Sequence, residues 1–168
     1  MLKILQEALC YAFLYSMFIV IMCVKQGPKK QIYNYPSSIQ NRLIKLGITS
    51  KEEIKKNACM NKIFGILVMF SMSLFMICGM NKETRFIPSF LEAYLFINMF
   101  SLFDVIFIDC IWFCHSRFWI IKGTEDMINE YKDYKYHWKY FFKGLLINIP
   151  ACFIISGLLV SIYILFKN

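Results

Sequence analysis

Two carboxylates interrupt a long, mostly apolar stretch in the middle of the chain. Asp104 and Asp109 lie between Phe86 and Ile121, where most other residues are aliphatic or aromatic. A charge at membrane depth is costly, so such side chains normally face the interior of a helix bundle or a wet cavity. Carboxylates placed there bind protons or cations, or act as general acids and bases. These two aspartates are therefore the first candidates for a functional site.

Other polar residues extend this candidate site toward the loop that follows. At ~100° per residue on a helical wheel, the polar side chains from Asn98 onward fall within an arc of about 140°. This polar stripe descends from mid-membrane at Asp104 to the loop at His115. Asn148, two residues before Pro150, is expected at the depth of Asp109 in the last span. The full candidate set is Asp104, Asp109, Trp112, His115, Glu125, His137 and Asn148.

The candidates also have structural explanations. Polar side chains between spans can hold helices together, which is the favoured explanation for Asn98. Asp109 could instead form an ion pair with Arg117 or Lys143. No Lys or Arg lies deep in another predicted span, so we expect Asp104 to meet a hydroxyl or a water. The available hydroxyls are those of Tyr15, Ser16, Ser71, Ser73 and Ser156.

Metal-binding residue types are present, but their spacing matches no metal site. Of seven cysteines, only Cys59 lies outside the predicted spans, and buried thiols behave as small hydrophobes. Cys110 and Cys114 share a helix face, but no second pair completes a site. His115 and His137 are residues of acid–base chemistry. The sequence therefore predicts no metal site and identifies no cofactor.

Four apolar runs can position these residues in a membrane. Of the 168 residues, 58% are hydrophobic, against roughly 45–50% in a soluble domain. A helix needs ~20 apolar residues to cross a bilayer, and the runs predict spans at about 4–24, 63–80, 89–114 and 144–166. The predicted fold is all-α: a polytopic membrane protein with one membrane domain over 1–168. It has four transmembrane helices and short amphipathic helices in cytoplasmic loops 25–62 and 115–143.

Charge asymmetry predicts the orientation in the cell membrane. Of 19 Lys and Arg residues, nine lie in 25–62 and six in 114–143. By the positive-inside rule these loops are cytoplasmic and both termini are outside. This topology and attraction to anionic headgroups explain the net charge of +8, so no nucleic-acid partner is expected. Four spans are few for a pore, so a homo-oligomer or a membrane-protein partner is expected.

Both loops contain helix signals. Ser38 can cap a short helix over 39–46 that ends at Gly47. Two overlapping capping boxes, Thr49 with Glu52 and Ser50 with Glu53, can start a helix that leads into the second span. In the other loop, Thr124 can cap a helix whose first turn contains Glu125. The loops either lie folded on the headgroups or form a docking surface for a partner.

Several short motifs occur between Tyr35 and Gly144. They are Tyr35-Pro36, Ile39-Gln40-x-Arg42, Leu46-Gly47, Asp104 with Asp109-x-x-Trp112, Gly123-Thr124-Glu125-x-Met127, Tyr131, His137 and Gly144. With these motifs the chain resembles a family of uncharacterised small bacterial integral membrane proteins. The resemblance implies a bacterial four-span protein and implies no substrate.

Two classes of function follow from the sequence. The first is an ion- or proton-linked oligomeric translocator or an accessory membrane subunit, with Asp104 as the ion or proton site. The second is a membrane-embedded enzyme acting on a lipid or prenyl substrate at the cytoplasmic face. Its site would contain Asp109, His115, Glu125 and His137. In both cases we expect the site in the cytoplasmic half of the bilayer.

Overall fold

Four long apolar helices dominate the computed structural model, which describes residues 2–166. The stretches Leu2–Gln26, Lys51–Met80, Phe86–Phe113 and Tyr134–Leu165 are long and apolar enough to cross a membrane. The described residues contain no strand. The all-helical fold and the four spans are therefore confirmed, and the chain is a multi-pass membrane protein. Lys167, which the charge count places outside, lies beyond the described residues, as do Met1 and Asn168.

Each of the four membrane-length stretches is longer than the apolar run that predicted it. The α-helices of the whole structure are α1 Leu2–Gln26, α2 Ser37–Lys45, α3 Lys51–Leu74, α4 Phe86–Phe103, α5 Ile128–Tyr131 and α6 Tyr134–Phe166. Ser50 caps α3 as predicted, since its hydroxyl accepts a hydrogen bond from the Glu53 backbone N–H at 3.1 Å. Hydropathy alone misses such polar first turns, because it registers only the apolar part of a helix.

Two of the long helices continue as π-helices. These are Phe75–Met80 after α3 and Asp104–Phe113 after α4. A π-helix bonds residue i to residue i+5, is rare, and is frequent at functional sites. The second π-helix contains both aspartates and therefore decides how the candidate site is built.

Helix α4 is the centre of the bundle. It packs most extensively against α1 and α6, and residues such as Tyr11, Phe96 and Leu159 are almost fully buried in this contact. Large apolar side chains such as Leu146 and Phe153 remain exposed on the outer face of α6. An apolar outer surface is the expected surface of a bundle that faces lipid tails.

The segments 27–50 and 114–133 lie together at one end of the bundle, here called the basic end. They pack as one folded unit, the cap, whose core includes Tyr35, Leu43, Trp119, Ile121 and Tyr131. Helix α2 lies where the sequence predicts a helix over 39–46, but it begins at Ser37. Ser38 is therefore inside the first turn and is not its cap.

Thr124 does not cap a helix, so that prediction is wrong. Its side chain is fully buried, and its hydroxyl donates to the Ile121 carbonyl at 2.7 Å and also contacts the Tyr131 hydroxyl at 2.7 Å. The single hydroxyl proton is used inside the cap core. The following residues, Glu125–Met127, form one 3-10 turn.

A polar cluster closes the opposite end of the bundle. The Asn81 side-chain amide donates to Glu7 at 2.9 Å and to Glu92 at 3.0 Å, and its oxygen accepts from Lys3 at 3.2 Å. These four residues, the opposite-end cluster, join α1, α4 and the turn after α3. Each end of the bundle therefore has its own set of carboxylates.

Candidate functional site

A polar cavity of about 430 Å³ opens between the helices near the basic end. The first half of its lining comes from α1, the cap and α3: Tyr15, Ile19, Met22, Cys23, Gln31, Tyr33, Asn34, Asn61 and Lys62. The second half comes from α4, its π-helix, Trp119 and α6: Phe100, Asp104, Ile108, Asp109, Phe113, Trp119, Tyr136, His137 and Tyr140. This volume is within the range of small-ligand sites. Of the seven candidate residues, Asp104, Asp109 and His137 line this cavity.

The π-helix brings both aspartates to this one cavity. In an α-helix, residues five apart are separated by about 140° around the axis. A π-helix bonds i to i+5, so residues five apart lie more nearly above one another. Asp104 and Asp109 consequently both face the cavity, closer together around the axis than the ~140° that separates them on the α-helical wheel.

Asp109 is held by His137 from the start of α6. The distance from Asp109 Oδ2 to His137 Nδ1 is 3.1 Å, and the side chains are 30% and 4% exposed. A ring nitrogen this close to a carboxylate carries the proton and donates it, which fixes the orientation of the imidazole. The ion pair suggested with Arg117 or Lys143 is not formed, because His137 occupies the carboxylate.

A second polar pair shows the register of these two helices. The Asn148 side-chain amide donates to Asn98 Oδ1 at 3.0 Å. Asn98 precedes Asp109 by eleven residues, and Asn148 follows His137 by eleven. Eleven residues are about three helical turns, so the two pairs are rungs of one antiparallel contact. Asn148 therefore lies one rung away from Asp109, deeper in the bundle, and does not line the cavity.

Asp104 has no polar partner among residues 2–166. It is partly accessible, and it lines the cavity with Asp109. The predicted hydroxyl contact is not made. Tyr15 donates to the Gly65 carbonyl at 2.7 Å, and Ser73 donates to the Met69 carbonyl at 2.9 Å. The Ser16 hydroxyl is buried and has no hydrogen-bond partner, Asp104 included. Asp104 is thus the one carboxylate of the cavity that stands alone.

Two buried polar atoms on the cavity wall also lack partners. They are His137 Nε2 and Trp119 Nε1, whose residues are 5% and 3% exposed. Both rings pack against Phe113, with centroid distances of 5.3 Å and 5.5 Å. Buried polar groups in native proteins are normally hydrogen-bonded. These two atoms are the buried polar groups of the cavity residues that no described protein group satisfies.

A chain of amides forms the wall toward the cap. Asn34 donates to Gln31, Gln31 donates to Gln26, and Gln26 donates to Asn61, at 3.1, 2.8 and 2.8 Å. Gln31 is almost fully buried. Because these amides satisfy one another, they position the wall and leave the aspartates and His137 as the reactive groups.

Three other predicted site residues lie outside this cavity. His115 is exposed, and its ring bonds to the Cys110 carbonyl at 3.0 Å and to the Tyr134 hydroxyl at 3.2 Å. Glu125 is exposed and accepts from the Gly123 backbone N–H at 2.7 Å. Trp112 lines a separate apolar groove with α1 and stacks on Phe118. Trp112 lies within the π-helix and faces the α1 groove, not the cavity. His115 and Glu125 follow the π-helix.

An aromatic layer separates the cavity from the opposite-end cluster. It consists of Tyr11 stacked on Phe96 at 5.5 Å and Tyr15 against Phe100 at 4.4 Å. Tyr11 and Phe96 are fully buried. The cavity is therefore blocked in that direction, with carboxylates on both sides of the layer.

Sequence analysis missed several residues of this site. Gln31 and Asn34 lie in a loop segment, and Asn61 lies just before the second predicted span, where polar residues look solvent-exposed. Tyr136 and Tyr140 line the cavity as well. Their spacing with His137 was the available signal, since a residue three positions along a helix lies on the same face.

The fold and the site together define a class: a multi-pass four-helix membrane protein with a buried acid–base cavity near its basic end. No protein-family model, no curated protein and no solved structure matches this chain. Its function must therefore be argued from the cavity itself. Among the described residues, no three His, Cys, Asp or Glu side chains come together in a group that could hold a metal ion.

Proposed function

We propose that the polar cavity exchanges protons and that the protein is an oligomeric proton- or ion-linked translocator. The observation that supports this most directly is the Asp109–His137 contact of 3.1 Å beside the unpartnered Asp104. Isolated carboxylates and carboxylate–histidine pairs inside membrane proteins are typical of ion sites and proton relays. In this proposal His137 Nε2 is the atom that exchanges a proton with water in the cavity.

The other titratable groups of the cavity come from every packed element. They are Tyr15 and Cys23 on α1, Tyr33 in the cap, Lys62 on α3, and Tyr136 and Tyr140 on α6. Lys62 is exposed, so its ammonium stays hydrated and does not neutralise Asp104. The two carboxylates and the imidazole of the cavity, on Asp104, Asp109 and His137, are the groups to which this proposal assigns the proton exchange.

The spacing of residues on α1 and α4 supports movement between the two ends. On α1, Glu7, Tyr11 and Tyr15 are four residues apart, and on α4, Glu92, Phe96, Phe100 and Asp104 are four residues apart. Residues four apart share a helix face. A seam with carboxylates at each end and aromatic rings between them suits alternating access, with the aromatic layer as the closed barrier.

Proton flux tests this proposal. In liposomes containing the purified protein and a trapped pH dye, an imposed pH gradient should collapse faster than in protein-free liposomes. Asp104→Asn should reduce this flux by about 10²-fold or more, which is the scale of a positioned acid–base group. The amide has a similar shape but cannot bind or release a proton.

Glu130→Gln is the matched control for Asp104→Asn. Glu130 lies outside the cavity at the same end of the protein, so the same change of charge there should leave the flux unchanged. Equal flux in wild type, Asp104→Asn and protein-free liposomes would refute the proposal.

A membrane-embedded enzyme is the second candidate function. A histidine oriented by a carboxylate, with its other ring nitrogen free, has the arrangement of a general base, and the cavity is closed toward the opposite end. Incubation with a bacterial lipid extract, followed by mass spectrometry, separates the two candidates. An enzyme on a lipid or prenyl substrate would form a product that disappears in His137→Gln, whereas a translocator would form none.

The charge asymmetry supports a cytoplasmic position for the basic end. We propose the cell membrane as the location, in accord with the resemblance to small bacterial integral membrane proteins. In a cysteine-free background, Glu130→Cys should be labelled by a membrane-impermeant maleimide only after permeabilisation. Thr84→Cys, at the opposite end, should be labelled in intact cells. The reverse pattern would invert the topology and place the cavity on the outside.

A further inference from the structure

We infer that the ligand of the polar cavity is an organic ammonium ion that competes with a proton for Asp104. This inference rests on the proposed proton exchange and adds the class of molecule that the site takes. It follows from three features of the cavity: its charge, the nature of its walls and its two unpartnered polar atoms.

The charge of the cavity favours one monovalent cation. Asp109 already accepts the hydrogen bond of His137 Nδ1 at 3.1 Å. Lys62 is exposed to solvent. Asp104 is left as the one carboxylate of the cavity without a polar partner among residues 2–166. Such a group in a low-dielectric surrounding binds either a proton or one positive charge.

The walls of the cavity favour an organic cation. Aromatic rings from four segments line the same cavity as Asp104: Tyr15, Phe100, Trp119, Tyr136 and Tyr140. Aromatic faces attract alkylammonium groups, and aromatic cages are a recurring way of binding quaternary ammonium ions. A volume of about 430 Å³ is far larger than a bare metal ion requires, but it suits a small organic molecule.

The two unpartnered atoms indicate an oxygen function on the same molecule. Trp119 Nε1 can only donate a hydrogen bond, whereas His137 Nε2 accepts one while Nδ1 donates to Asp109. A hydroxyl group satisfies both, since it accepts and donates. The two rings flank Phe113, so they belong to one part of the wall. An ammonium group linked to an oxygen function is the chemistry of amino alcohols, either free or as a lipid headgroup.

Choline is the probe for this inference, and its neutral carbon isostere is the control ligand. The full-length protein is placed in nanodiscs of phosphatidylglycerol in weakly buffered solution with a pH dye, and binding is followed by calorimetry. Choline should bind and release a proton, and the isostere should do neither. Once Asp104 is protonated, the apparent Kd should rise about tenfold for each further unit of acidification, because proton and cation exclude each other.

Variants show whether Asp104 carries the binding. Asp104→Asn should weaken choline binding by more than about tenfold and remove the proton release. Asp104→Glu keeps the charge and should retain binding, which guards against a variant that fails to fold. Glu130→Gln should behave as wild type. Equal affinity for choline and its isostere, or full affinity in folded Asp104→Asn, would overturn the inference.

Two further measurements distinguish a lipid headgroup from a free ligand, and the proposed ligand class from the proposed proton exchange. Phosphatidylcholine in the nanodisc should compete with free choline if a lipid headgroup is the occupant, and should have no effect if the ligand is free. Infrared spectroscopy of the Asp104 carboxyl reports its titration independently. If Asp104 titrates but choline never displaces its proton, the ligand class is wrong and proton exchange stands. If choline binds through Asp104 but no proton flux occurs, the translocator is wrong instead.

Discussion

An Asp109→Asn variant is expected to stay folded and to lose proton flux. The asparagine oxygen can still accept the His137 Nδ1 proton across the present 3.1 Å, so the contact between α4 and α6 survives. The asparagine amide carries no charge. It can neither stabilise a positively charged His137 ring nor bind and release a proton itself. Flux in liposomes should fall by about 10²-fold or more, while the thermal unfolding midpoint in detergent stays near that of wild type.

Leucine substitutions at the same pair separate a structural role from a functional one. Asp109→Leu leaves His137 Nδ1 buried without a partner, and breaking a buried pair costs roughly 3–5 kcal/mol. That figure is an upper bound, because the Asp109 side chain is 30% exposed. The double variant Asp109→Leu/His137→Leu should recover much of the stability without recovering flux. Flux in the double variant would show that the pair only holds the helices together.

The four spans could be predicted because their signal is local. Each apolar run is long enough to cross the bilayer core as a helix, which takes ~20 residues, and no tertiary contact is needed to see it. The π-helix over Asp104–Phe113 could not be predicted, since its sequence of aromatic and aliphatic residues also fits an α-helix. The wheel built on ~100° per residue therefore placed Asp104 and Asp109 far apart around the helix.

Asp109 and His137 were each predicted as site residues, but the contact between them was not predicted. Asp109 and His137 were both candidates, yet nothing in the sequence states the register between α4 and α6. The eleven-residue spacing in both helices would have suggested it, with Asn98 and Asn148 as the second rung. His115 attracted attention because it continues the polar stripe of α4. His115 is the last helical residue, and its ring bonds to the Cys110 and Ile111 carbonyls of the preceding turn instead of reaching the cavity.

The largest expected effect on stability comes from Tyr35 in the cap. Its side chain is fully buried, and its hydroxyl donates to the Trp119 carbonyl at 2.8 Å. Its ring packs on Phe113 and Tyr131 at 4.9 and 5.5 Å. Removing a buried aromatic ring typically costs about 3–5 kcal/mol, so Tyr35→Ala should lower the unfolding midpoint sharply. Tyr35→Phe loses only the hydrogen bond and should cost about 1 kcal/mol.

The same substitution should also disturb the cavity, because Tyr35 connects the cap to its wall. The Tyr35 carbonyl accepts from the Tyr136 hydroxyl at 3.4 Å, and Trp119 lies at the other end of the Tyr35 side chain. Tyr35→Ala should therefore reduce proton flux even below the unfolding temperature, and Tyr35→Phe should reduce it little. Tyr134→Ala is the matched control, since Tyr134 is exposed at the same end. If Tyr35→Ala has the same unfolding midpoint as Tyr134→Ala and keeps full proton flux, the cap neither stabilises the bundle nor shapes the cavity.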